Sequence, residues 1–182
     1  MSTTAVIASG QYLTFTLGDE DFAVEIGKVR EVLDYPPITK VPQMPEYLSG
    51  VTNLRGSVVP VVDMRLKFGM SAIERTVDTC VIIVDVLMED ETVTMGCLAD
   101  SVREVIDLAA EQIEPPPHMG TGIEADFLRG MGKIDDKFLM ILDIDKVLSN
   151  GELAAVAHAA EAGSTQAADE EALVTTAQTS AA

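Results

Sequence analysis

Apolar and polar positions alternate over two early stretches of the chain. Leu13, Phe15 and Leu17 alternate with Tyr12, Thr14 and Thr16, and after Gly18–Asp21 the alternation resumes at Phe22, Val24 and Ile26. A period of two predicts strands, and the Gly/Asp cluster between them predicts a hairpin. The period then changes: Val29, Val32 and Leu33 follow Ile26 at helical spacing, which predicts a short amphipathic helix over 26–34, stopped by Pro36-Pro37. Ile38–Val41 reads as a short β segment. Residues 51–63 read as strand, tight turn, strand, with Asn53 and Gly56 shaping the turn. Val58–Val62 is apolar on both faces and is expected to be buried. Pro60 has no N–H to give a ladder, so it is expected at an edge or a bulge.

Residues 65–79 form a connector with a weak helical signal. Strand patterns return at Cys80–Leu87, Val93–Ala99 and Val102–Leu108, and a last hairpin is predicted from Phe127–Ile134 and Phe138–Leu142 across Asp135-Asp136-Lys137. Residues 118–126 read as a mobile loop. Ile144, Val147 and Leu148 share one face of a terminal helix placed at 143–150. Many short strands and two small helices suggest small barrels rather than a parallel α/β sheet. The body spans 11–150 in two halves, roughly 11–64 and 80–142, with no close sequence repeat between them. A loose leader, 1–10, precedes it. Residues 151–182 are Ala-rich, with five acids and no Lys or Arg, and are expected to be a disordered tail.

Charge narrows the partners. The chain of 182 residues carries a net charge of −18, and the acidic excess persists without the tail. Such a surface repels nucleic acid and anionic lipid, which leaves proteins as the expected partners. Aromatics make up 4% and Trp is absent, so the core rests on Val, Ile, Leu and Met, with the nine Met read mainly as core filling. Cys80 and Cys97 lie in apolar strand patterns with no metal-binding spacing and read as buried reduced thiols. Neither a signal peptide nor a run of about 20 apolar residues is present, so a soluble cytoplasmic protein without membrane insertion is expected.

Chemistry is sparse. No phosphate loop, nucleophile elbow or HExxH motif occurs. His118 and His158 have no carboxylate or nucleophile at a motif spacing, and Asp143-Ile144-Asp145 lacks the Gly and distant Glu of a calcium loop. No catalytic residue, cofactor or metal is expected, and Asp143 reads as a helix cap.

One segment is distinctive. Gly50-Val51-Thr52-Asn53-Leu54-Arg55-Gly56, followed by the apolar strand with Pro60 and Asp63, resembles the signature of CheW-like chemotaxis coupling proteins. Phe22–Ile26 with Val29-Arg30-Glu31-Val32, Ile38–Pro42, Gly96–Val102 (with Ala99 at a position usually Val) and Leu139–Leu148 are similar to the family in the same order. The resemblance implies two small five-stranded SH3-like barrels packed on a shared apolar seam. It implies a non-enzymatic adaptor that couples the cytoplasmic tip of chemoreceptors to the regulatory domain of the chemotaxis histidine kinase, and that assembles with copies of itself in array rings. It further implies partner contacts at Arg55, Glu31, Val29, Val32, Leu13 and Leu98, and at the Asn53–Gly56 turn. Leu98, opposite Met95 and Cys97 on its strand, is expected to be exposed unless a partner covers it. Rival readings are a coupler of another kinase pathway such as pilus motility, a small β-barrel enzyme, and an unrelated SH3-like peptide binder.

Overall fold

The protein is described from a computed structural model, which covers residues 9–88, 90–115 and 125–148. The expected leader (apart from its last two residues), the loop at 118–126 (apart from 125–126), the last two residues of the terminal helix and the tail lie outside the described residues.

Gly18, at φ +63, turns β1 (Gly10–Leu17) into β2 (Glu20–Glu25), with Leu17 facing Glu20. A two-residue turn of this kind matches the twist of the strands it joins. Next comes a single 3-10 turn, Ile26–Lys28, and then β3 (Val29–Asp34). The helix expected over 26–34 is therefore a strand. Its apparent helical spacing comes from a β-bulge: Val29 pairs with Val84 and Val32 with Ile82, so three steps along β3 match two along its partner. The extra residue puts Val29 and Val32 on one face, as a helix would.

Thr39 bridges to Val51, and β4 (Leu48–Leu54) and β5 (Ser57–Asp63) follow across a turn at Arg55-Gly56. Asp63 caps α1 (Met64–Lys67) by accepting the Arg65 and Leu66 N–H groups. The internal helix thus lies here rather than at 26–34. The second half runs β6 (Cys80–Met88), β7 (Glu91–Ala99), β8 (Ser101–Leu108), a short β9 (Ile113–Glu114), β10 (Leu128–Ile134), β11 (Lys137–Leu142) and α2 (Ile144–Leu148). Asp135 and Asp136, both at positive φ, form the last hairpin's turn.

The strands form two sheets, ordered β8-β1-β2-β11-β10-β9 and β3-β6-β7-β5-β4. The expected halves do not each make a barrel. Each lends its first hairpin to the other half's sheet: β1–β2 lies between β8 and β11, and β6–β7 between β3 and β5. The parallel pairs β2–β11 and β7–β5 fix this exchange, with Ala23 beside Ile141 and Gly96 beside Val61.

The order hairpin, lone strand, hairpin, helix therefore occurs twice, a repeat not expected from the sequence. Its traces there are short: Val-Arg-Glu-Val at 29–32 and again at 102–105, Leu48/Leu128, Gly50/Gly130 and Asp63/Asp143. The Asp63 N–H bonds to the Tyr47 carbonyl and the Asp143 N–H to that of Phe127 in equivalent fashion.

Pro60 is on neither an edge strand nor a bulge. β5 is interior, and its parallel ladder with β7 starts one residue later, at Val61, so no donor is missed.

Three apolar clusters hold the fold together. One lies inside the first sheet (Tyr12, Ala23, Leu108, Ile113, Leu139, Ile141), and a second inside the other (Val59, Val61, Val81, Ile83). The largest joins the two along a seam that includes Leu13, Phe15, Phe22, Ile82, Val84, Met95 and Leu142. Phe15, Phe22 and Phe68 stack in sequence there at 5.7 Å between ring centroids.

Candidate functional site

The seam is flanked by the terminal strand of each sheet, β8 on one side and β3 on the other. These strands carry the repeated Val-Arg-Glu-Val, and β8 bulges like β3: Leu13 pairs with Val105 and Phe15 with Val102. Residues directly opposite on paired antiparallel strands share a face. Val29 and Val32 therefore face the seam beside Val84 and Ile82, and Val102 and Val105 do so beside Phe15 and Leu13. Val29 and Val102 are half-buried against the seam, while Val32 and Val105 remain 41% and 47% exposed. Thr14, the residue opposite the β8 bulge, accepts the Glu104 N–H (3.1 Å) and donates to the Glu104 carbonyl (2.8 Å), fixing that lip. Each of the two bulged strands thus sets two valines on its seam side.

The expected residues divide into three groups. Val29 and Val32 are on the seam side of β3. Arg55 and Glu31 meet: Arg55 Nη2 lies 3.1 Å from Glu31 Oε2, and the arginine side chain remains 78% exposed. The pair spans β3 and the β4–β5 turn, the two ends of the second sheet. Arg55 and Gly56 take the positive-φ positions of that turn, at +52 and +86. Asn53 shapes the turn through its side chain, whose Oδ1 accepts the Gly56 N–H at 3.0 Å.

Leu13 and Leu98 are covered in large part by the protein itself. Leu13 is 6% exposed, within the seam and covered by its neighbours. Leu98 is half-buried against the apolar cluster of the second sheet, so the protein itself supplies most of its cover. Val102 and Val105 were not expected here, although the repeated tetrapeptide marks them.

No group of three His, Cys, Asp or Glu is placed to hold a metal, and no buried side-chain N or O lacks a hydrogen-bond partner, among the described residues. Burial pushes the Cys97 thiol up to about 12, which leaves it protonated and unreactive. No helix among the described residues is long and apolar enough to cross a membrane.

The CheW-like domain model matches residues 11–152. The chain belongs to the CheW-like family. It is 35% identical to the chemotaxis protein CheW of Klebsiella aerogenes over 151 residues, covering 83% of this chain and 89% of that one. It is 33% identical to that of Rhizobium meliloti over 142 residues, covering 78% and 89%. Its fold is similar to the crystal structure of the scaffolding protein TtCheW from Thermoanaerobacter tengcongensis, with a TM-score of 0.70, 33% identity, and coverage of 79% of this chain and 95% of that one. The two sheets are the paired SH3-like barrels of this family, and CheW-like proteins are non-enzymatic scaffolds of chemotaxis.

Proposed function

We propose that this CheW-like protein couples chemoreceptors to the chemotaxis histidine kinase, with the groove between its barrels taking the helical hairpin at a receptor's cytoplasmic tip. The observation that carries the reading is the pair of bulged edge strands. Val29, Val32, Val102 and Val105 give a two-sided apolar trough, the surface that the apolar face of an amphipathic helix needs. Arg55 lies on a rigid turn and retains exposed donors beyond its contact with Glu31, so it can take a carboxylate or carbonyl of a partner. On this reading the kinase's regulatory domain and further copies of the adaptor occupy surfaces outside the groove, and the protein works at cytoplasmic receptor clusters. The strongly acidic chain disfavours nucleic acid as a competing partner.

The deciding measurement is autophosphorylation of the cognate kinase with receptor cytoplasmic fragments, with and without this protein. Kinase activity or receptor control should depend on its addition. A protein that changes neither and binds neither partner would remove the coupling reading.

A further inference from the structure

The chain crosses from one barrel to the other at two short links, and each leads directly into a lip of the groove. Ile26–Lys28 joins β2 to β3 and ends one residue before Val29. Asp100 joins β7 to β8 and lies two residues before Val102. Both links are held in the same way. Lys28 Nζ lies 2.8 Å from Asp145 Oδ2 on α2, and Asp145 Oδ1 also accepts the Leu87 N–H of β6 at 2.9 Å. Arg65 on α1 forms bonds of 2.7–3.0 Å to Asp100, and Asp100 Oδ2 accepts the Gly18 N–H of the β1–β2 turn at 2.7 Å. In each case one carboxylate takes a basic side chain and a backbone N–H, and so joins a helix, a crossing link and a hairpin.

The two clasps occupy equivalent places in the repeat with their charges exchanged. Arg65 and Asp145 are both the second residue of their helices, one basic and one acidic. Their settings differ. Arg65 and Asp100 are 13% and 20% exposed, whereas Lys28 and Asp145 are each 31% exposed. Burial alone would raise Asp100, but hydrogen bonds from Arg65 and from the Gly18 N–H, together with the guanidinium charge, outweigh it and hold its carboxyl below the ordinary value. The Arg65–Asp100 clasp is the firmer of the two.

We infer that the Lys28–Asp145 and Arg65–Asp100 clasps set the spacing of the two valine lips, and that Lys28–Asp145 is the adjustable one through which the position of α2 reaches the groove. These four are positioning residues that act on a partner only through the lips. The affinity consequence rests on the groove being the receptor-binding site; the spacing itself does not. A groove whose width varies matches a rigid helical hairpin only part of the time, and apparent affinity falls with the fraction of matching molecules.

The test is a distance measurement on the full chain. Spin labels on Asp34→Cys and Asp107→Cys, exposed residues that follow the two lips at equivalent positions, report their separation, while native Cys80 and Cys97 are buried. Asp145→Asn should shift or broaden the distance distribution, and Lys28→Arg, which keeps the ion pair, should leave it unchanged. Binding of a receptor cytoplasmic fragment should weaken about fivefold or more in Asp145→Asn and hold in Lys28→Arg. An unchanged distribution in folded Asp145→Asn would overturn the inference. If that variant unfolds, Lys28→Gln, which keeps the Leu87 N–H bond, is judged by the same criterion. Loss of receptor binding by the unsubstituted chain would instead sink the coupling reading, and the distances would still decide the clasp.

Discussion

Gly50 sits at φ +144, and a Cβ there would collide with the Thr39 carbonyl, the group that bridges to Val51. Only glycine fits such an approach without strain. Gly50→Ala should cost about 2–3 kcal/mol in chemical denaturation by forcing the 38–41 segment off β4. Asp100 gives a pH-dependent prediction. Its folded value lies below the ordinary 3.8, so the unfolded chain takes up the proton first as the pH falls. The stabilisation is complete above the unfolded value and is lost as the pH drops through the lowered folded one. Asp100→Asn should cost about 2–3 kcal/mol at neutral pH. Its Tm should also fall less steeply than that of the parent below about pH 4. Asp63 works in the opposite sense, because burial raises its value despite two backbone N–H bonds and Arg65, so it offsets part of the acid-side slope in both proteins. Equal slopes in the two proteins would show that Asp100 is not held in its charged form.

The strands differ in how plainly the amino-acid pattern shows them. β1, β2, β6, β7 and β11 are legible because one or both of their faces are buried and the alternation or apolar run says so. β3 is not, because its bulge imitates a helical period. The same bulge hides the groove: Val102 and Val105, three apart, break the alternation that a plain strand would show. Arg55 and Glu31 are suggested only by family resemblance, and no local pattern predicts that they meet. The clasps are not legible at all, since Lys28 and Asp145 are brought together only by the exchanged hairpins. At this scale the groove can be tested lip by lip. Val32→Asp and Val105→Asp, each at an exposed site, should leave Tm within a few degrees. Each should weaken binding of a receptor fragment about tenfold or more in a titration. Unaltered binding in both would move the partner elsewhere. The bulges and charged Arg-Glu pairs of these lips also blunt two edges that would otherwise recruit stray strands.

The whole molecule is two similar halves that complete each other's barrels. Neither has its own sheet: residues before the connector supply β1–β2 to one barrel and β3–β5 to the other. Cutting between Glu74 and Arg75, both exposed, should give fragments that copurify in equal amounts and unfold together when co-expressed. Either fragment alone should show no cooperative unfolding as a monomer; a stable monomeric half would mean that the exchange is not needed for folding.

Near-symmetry of this kind also bears on direction. A trough with a true two-fold axis binds a segment equally well in either orientation. The equivalent turns of the two halves are unequal: the turn after β4 presents Arg55 and Gly56, and its counterpart after β10 presents Asp135 and Asp136. A charged segment laid along the groove therefore has different energies head-first and tail-first, and the fused chain can choose a polarity that two identical halves could not.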